Sequence, residues 1–268
     1  MKLTVLVDNN TYIDQYFLGE PAVSYYIESG EIRLLFDTGY SDIFISNAEA
    51  LGINLNKLTH IVLSHGHNDH TNGLKYLSQK MDLSKVVLIS HPQCFCPKAD
   101  GRDKIGAPYS VSEIKKLCCY HSTSLPYTIS EDFTFLGEIP ALNDFEERKW
   151  IGLINTKGKW ITDYNYDDSA LVYRSSDGLF IITGCSHSGI CNIVEYAIKI
   201  CKEDRISGII GGFHLFEANK QLEKTVNYLN SCSIRHLYPC HCVSLEAKCK
   251  MSEKLPLTEV GVGLQISM

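Results

Sequence analysis

Two hydrophobic rhythms run through the chain. Short runs with alternating or continuous apolar positions mark strands, and longer stretches with apolar residues three and four apart mark helices. Residues 23–28 and 32–37 are β-rich runs parted by Ser29 and Gly30, the composition of a hairpin turn. Residues 42–51 predict a helix stopped by Gly52. Residues 59–63 form an apolar strand that leads straight into a histidine-rich loop, and Asn72 is placed to cap a helix over 73–79. Residues 85–90 predict another buried strand, and 91–109, with its prolines and glycines, predicts a loop. Ser110 and Glu113 have the spacing of a capping box that opens a short helix. In the second half, strands over 170–174 and 179–183 pair about Ser176, Asp177 and Gly178. A helix (190–201), a strand (206–210), a helix (217–229), a strand (234–238) and a last strand (262–267) follow. Two β-rich halves, each with its helices, predict an α/β fold of the four-layer αββα sandwich type. At 268 residues a single large domain over 1–268 is expected, with about 91–120 as a lid-like insertion.

Composition narrows the function classes. The hydrophobic content of 44% supports a sizeable core. No apolar run approaches the roughly 18 residues that a membrane-spanning helix needs, and no membrane association is expected. The first residues alternate like a strand and do not resemble a signal peptide, so a cytoplasmic location is the default expectation. A formal charge of -6 gives no basic footprint for nucleic acid. Eleven cysteines is an odd number. Cys94 and Cys96, like Cys240 and Cys242, are too close for the Cys-x-x-Cys of a zinc ribbon. Most are therefore read as small buried apolar residues in a reducing compartment, not as a disulfide framework.

The chemistry concentrates in one loop. His65, His67, Asp69 and His70 put four metal-ligand side chains within six residues at the end of a predicted buried strand. His65 and His67, two apart in an extended loop, present both imidazoles to one side and can grip one ion. Asp69 and His70 follow where the chain turns and can hold a second. Imidazole with carboxylate suits zinc, and also manganese or iron.

The segment Ser64-His65-Gly66-His67-Asn68-Asp69-His70-Thr71-Asn72-Gly73-Leu74 resembles the defining loop of the metallo-β-lactamase superfamily. Leu35-Phe36-Asp37-Thr38-Gly39 resembles its first motif, in which the aspartate braces the histidine loop. Three further segments, 183–190, 211–215 and 238–242, are similar in order and content to one subgroup. That subgroup comprises the dihydropterin-ribofuranosylaminobenzene 5′-phosphate synthase-like metal-dependent hydrolases. The resemblance spans residues 6–263. It implies His241 as a metal ligand beside Asp69 and His70.

The pattern also departs from the superfamily. Residues 163–168, ahead of the hairpin, contain no histidine, and Cys185 stands where a bridging aspartate is usual. His187, two residues on, is the natural replacement ligand, while Cys185 is either a thiolate ligand or a buried thiol. His214, in a Gly-Gly-Phe-His setting, is expected to bind substrate or donate a proton. Asp167 and Asp168 are candidates to hydrogen-bond metal-bound histidines. His60, His91, His121 and His236 are expected to be structural, with His91 the first exception to consider.

The function expected is hydrolysis of a small-molecule ester, lactone, thioester or phosphoester, with two divalent ions activating a bridging hydroxide. In this scheme Asp69 accepts a proton and His214 protonates the leaving group. Arg102 and Lys104, beside glycines, are candidates for a substrate phosphate. Two other classes stay open: an iron-dependent redox enzyme, and a non-catalytic metabolite sensor on the same fold.

Overall fold

The computed structural model describes the whole chain, Met1–Met268. It divides into two compact units. The first comprises Met1–Thr123, Trp150–Asp167 and Gly261–Met268; the second comprises Ser124–Lys149 and Asp168–Val260.

The first unit is organised by a seven-stranded sheet. Its order is Gln265–Ser267, Lys2–Val7, Ser24–Ser29, Ile32–Phe36, His60–Val62, Val87–Ser90 and Cys119–Ser122. The first four strands pair antiparallel, and the remaining pairings are parallel. In Lys2–Val7 every residue after Lys2 is buried, the continuous apolar run of a strand covered on both faces. Helices Ile43–Ala50 and Leu74–Lys80 bury Phe44, Ile45, Ala48, Leu74 and Leu77 in the same core as Leu6, Leu35, Ile61 and Leu88. Burying each such side chain contributes about 1.5–3 kcal/mol. A small antiparallel sheet, Lys159–Thr162, Leu153–Thr156, Lys98–Asp100 and Asp103–Lys104, completes the unit.

The second unit has a six-stranded sheet: His236–Pro239, Ile206–Gly211, Gly178–Thr183, Ala170–Ser175, Phe133–Phe135 and Tyr127–Thr128. The first three strands run parallel, and the rest pair antiparallel. Helix Ile190–Cys201 packs Ile190, Ile193, Val194, Ala197 and Cys201, an i, i+3, i+4, i+7 stripe, onto this sheet. Helix Lys220–Ser231 buries Leu222, Val226 and Leu229 in the same core, and Asn219 caps it by accepting from the Leu222 amide. No helix of the chain is long and apolar enough to cross a membrane.

Most predicted elements are present within a few residues, and several points differ. Asn72 does not cap the helix after it: Leu74–Lys80 has Gly73 at its N-cap, while Asn72 ends the short helix Asn68–Thr71 and its side-chain amide donates to the Tyr40 carbonyl at 2.7 Å. The expected loop over 91–109 contains the short strands Lys98–Asp100 and Asp103–Lys104. Helix Leu245–Ser252 and the hairpin Leu153–Thr156/Lys159–Thr162 were not anticipated. The capping box is formed as expected, Ser110 accepting from the Glu113 amide and Glu113 from that of Ser110.

Candidate metal centre

Both units present their chemistry at the carboxyl ends of parallel strands, where open α/β sheets gather functional loops. In the first unit, strands Ile32–Phe36, His60–Val62 and Val87–Ser90 lie side by side in parallel. Asp37 follows the first, the histidine loop follows the second, and His91 follows the third. The pairing Phe36↔Val62 brings Asp37 level with the start of the loop, and the Asp37 amide donates to the Val62 carbonyl.

Asp37 is fully buried and organises the loop through both carboxylate oxygens. Oδ1 accepts from the Ser64 amide at 2.7 Å. Oδ2 accepts from the Ser64 hydroxyl and from His70 Nδ1, each at 2.7 Å. Because the Ser64 proton is committed to Asp37, its oxygen accepts from His65 Nδ1, 2.9 Å away. One carboxylate thus sets two tautomers, leaving the Nε2 lone pairs of His65 and His70 available to a cation.

The ligand atoms crowd together. His65 Nε2 lies 3.0 Å from His67 Nδ1, and His70 Nε2 lies 3.4 Å from Asp69 Oδ2. The His65 and His70 rings are 4.2 Å apart. Two donors on one tetrahedral zinc at about 2.0–2.2 Å sit roughly 3.3–3.5 Å from each other, so the donor set fits metal.

The electrostatics agree with a cation site. Burial pushes His67 down to about 4, helped by the Lys98 charge, so its imidazole is neutral as a ligand must be. For His70, burial works downward, but the Asp69 and Asp37 carboxylates outweigh it and raise the imidazole well above its usual value. A proton there occupies the place of a cation between two carboxylates.

The loop backbone is braced as tightly as its side chains. A Cβ on Gly66 would come within 2.1 Å of the Cys94 carbonyl oxygen, so only glycine fits between the two histidines. The Gly66 amide donates to Asp167 Oδ2 at 2.8 Å, and the Asn68 amide donates to the Ile105 carbonyl at 2.8 Å. Asp167 is itself held by Lys98, whose Nζ reaches Asp167 Oδ1 at 2.9 Å and Asp163 Oδ2 at 2.7 Å, all three side chains being buried. Burial alone would raise the Asp167 carboxyl, but the Lys98 ammonium outweighs it and holds Asp167 below the usual range.

In the second unit, three histidines follow three adjacent parallel strands. His187 comes after Gly178–Thr183, His214 after Ile206–Gly211 and His241 after His236–Pro239. The loops are laced together by backbone bonds, from Gly212 to Gly184, from Cys240 to Gly211 and from Leu215 to Cys242. The His187 and His214 rings are 4.6 Å apart, and His214 stacks edgewise on Phe216. Ser186, His187, Phe213, His214, Glu146 and Gln221 are among the residues lining a pocket. The Glu146 carboxylate closes the start of helix Ile190–Cys201 by accepting from the Cys191 and Asn192 amides at 3.0 and 2.8 Å. It thereby fixes the Ser186–Gly189 turn that carries His187.

Asp37, Ser186, His214 and His241 all adopt positive φ, from 50 to 57°, immediately beyond these strands. Such conformations cost non-glycine residues about 1–2 kcal/mol each and concentrate at functional sites. The His214 amide donates to Cys242 Sγ at 3.3 Å, which helps hold its unusual backbone.

Asp167 takes the Gly66 amide and Lys98, and Asp168 accepts from the Ser188 amide and hydroxyl beside His187. Arg102 and Lys104 stand exposed at a turn. Cys185 is buried, and its carbonyl accepts from Cys242 Sγ at 3.6 Å. His91 is buried with Nδ1 accepting from the Gln93 amide. Sequence reasoning missed Lys98, Asp163 and Glu146.

Comparison with known proteins agrees with this geometry. The model of the metallo-β-lactamase superfamily matches residues 18–93, the stretch holding Asp37 and the histidine loop. The chain belongs to this superfamily, whose members are generally metal-dependent hydrolases. The uncharacterized protein MJ0448 of Methanocaldococcus jannaschii is 33% identical over 253 residues, covering 94% of each chain. From the same organism, 7,8-dihydropterin-6-methyl-4-(beta-D-ribofuranosyl)-aminobenzene-5′-phosphate synthase is 28% identical over 263 residues. That match covers 92% of this chain and 89% of the relative. The crystal structure of Tm1679, a metal-dependent hydrolase of the β-lactamase superfamily, superposes with a TM-score of 0.85 at 29% identity. It covers 100% of this chain and 99% of that one.

Proposed function

We propose that this protein is a two-metal hydrolase of a small-molecule ester, lactone, thioester or phosphoester. The observation that carries this reading is the convergence of His65, His67, Asp69 and His70, with Asp37 setting the tautomers. In this scheme His65 and His67 hold one ion, and Asp69, His70 and His241 hold the other, with His187 completing the set. Zinc is the first choice for this donor mixture, ahead of manganese and iron. When bound, the ions supply Lewis acidity at the scissile carbonyl or phosphoryl group and bring the pKa of water down toward about 7.

The side chains supply the rest. Asp69 is 28% exposed, so its carboxylate can accept a proton from the attacking side. His214, on the pocket wall beside His187, donates the proton that the leaving group needs. A phosphorylated substrate is favoured because the synthase relative's name carries a 5′-phosphate, and Arg102 and Lys104 offer exposed cations for one.

The test is turnover of p-nitrophenyl phosphodiesters, lactones and thioesters by zinc- or manganese-loaded protein. The reading expects activity on at least one class, lost on chelation and in His67→Ala. Turnover that survives both would contradict it.

A further inference from the structure

The metal loop meets a second, wholly buried charged group that is separate from the ligand set. Lys98, from the strand Lys98–Asp100, bonds to Asp163 and Asp167, which flank the turn after Lys159–Thr162. The three side chains are at most 1% exposed. A buried ammonium with two carboxylates is costly to desolvate, and fixing one arrangement of backbone is a use that such groups can serve. Asp167 ends the network on the amide of Gly66, the one residue between His65 and His67. On its other side Gly66 abuts the Cys94 carbonyl, four residues before Lys98.

We infer that Lys98 and Asp167 form a positioning clamp that fixes the His65-Gly66-His67 backbone for metal binding, with Asp163 holding the lysine from the side away from the loop. This inference rests on the metal reading above. The clamp ties the small sheet to the ligand loop: Lys98 orients Asp167, and Asp167 sets the rotation of the His65–Gly66 peptide, on which the spacing of the two imidazoles depends. Asp37 holds the start of the loop and the His70 ring, and Asp167 holds the backbone between His65 and His67.

Asp163 provides a matched control. Each aspartate accepts from Lys98 with one oxygen and from a backbone amide with the other, Asn165 in the case of Asp163 and Gly66 in the case of Asp167. Asparagine preserves the shape of either but offers one acceptor where two donors converge. Asp163→Asn and Asp167→Asn each remove one carboxylate from the lysine network, and only the second removes a group bonded to the metal loop.

Cobalt(II) titration followed by the visible ligand-field spectrum reads the difference. The expected result is a loss of affinity of about tenfold or more with an altered spectrum in Asp167→Asn. Asp163→Asn should stay within about threefold of wild type with an unchanged spectrum. Equal affinities and spectra in both variants, or equal losses, overturn the clamp while leaving the metal reading intact. Failure of wild type to bind cobalt overturns the metal reading itself and the clamp with it. Amide hydrogen exchange on metal-free protein gives an independent readout. The peptide spanning 65–68 should exchange faster in Asp167→Asn than in Asp163→Asn, and equal rates overturn the clamp.

Discussion

The two units deliver histidines in opposite ways. In the first, one loop carries three imidazoles and a carboxylate, and buried acids brace it from two sides, Asp37 through the His70 ring and the amide and hydroxyl of Ser64, Asp167 through the Gly66 amide. In the second, His187, His214 and His241 arrive one at a time from three neighbouring strand ends, the last two in left-handed backbone. The difference teaches where precision comes from. A dense ligand loop can be rigidified by a few buried acceptors, because its members share a backbone. Dispersed histidines depend on strand register, and on the loop-to-loop bonds among residues 184–189, 211–216 and 240–244.

The sharpest way to break the comparison is to add one carbon to each region. Gly66→Ala would drive a Cβ to 2.1 Å from the Cys94 carbonyl oxygen. It should destabilise the protein by about 3 kcal/mol or more and abolish metal binding, seen in chemical denaturation and elemental analysis. Gly212→Ala meets Cys242 Sγ at 2.4 Å and the Gly184 carbonyl at 2.6 Å. It should cost about 2 kcal/mol and disturb His214, while the first-unit loop keeps its affinity for metal. Equal loss of metal in both variants would dissolve the distinction between the regions.

Replacing a single dispersed group should separate chemistry from binding. His214→Ala is expected to lower turnover by about 100-fold or more and to leave metal content unchanged. A variant with full turnover would remove the proton-donor role.

The smallest effect is a proton count. Burial works downward on the His70 imidazole, but the Asp69 and Asp37 carboxylates outweigh it and raise it above its usual value, which favours a proton there in metal-free protein. Metal must displace it. Affinity should therefore rise with pH by about tenfold per unit until that raised value is passed, and fall on acidification. Calorimetry in buffers of different ionisation enthalpy checks this, and binding without proton release at pH 7 would contradict it.

What the sequence makes legible follows the same division. The histidine loop announces itself because its ligands are neighbours in the chain, and Asp37 was reachable through the motif around it. Helix Ile190–Cys201 was predicted to the residue because its apolar stripe is complete. Lys98 with Asp163 and Asp167 was not legible. Its bonds join residues 65 and 69 positions apart, and an isolated lysine after Cys-Pro looks like surface. Glu146 was hidden for a related reason, since it closes a helix that starts 44 residues later and lies outside any capping pattern. The hairpin Leu153–Thr156/Lys159–Thr162 escaped because most of its side chains are at least partly exposed and no face alternation survives.

The proposed two-metal function is tested most directly by metal content. The protein would be purified without added metal and analysed for elements, wild type beside His187→Ala. The account predicts about two equivalents of zinc or manganese in wild type and a clear fall in the variant. No bound metal in wild type, with none gained when metal is supplied, would contradict it.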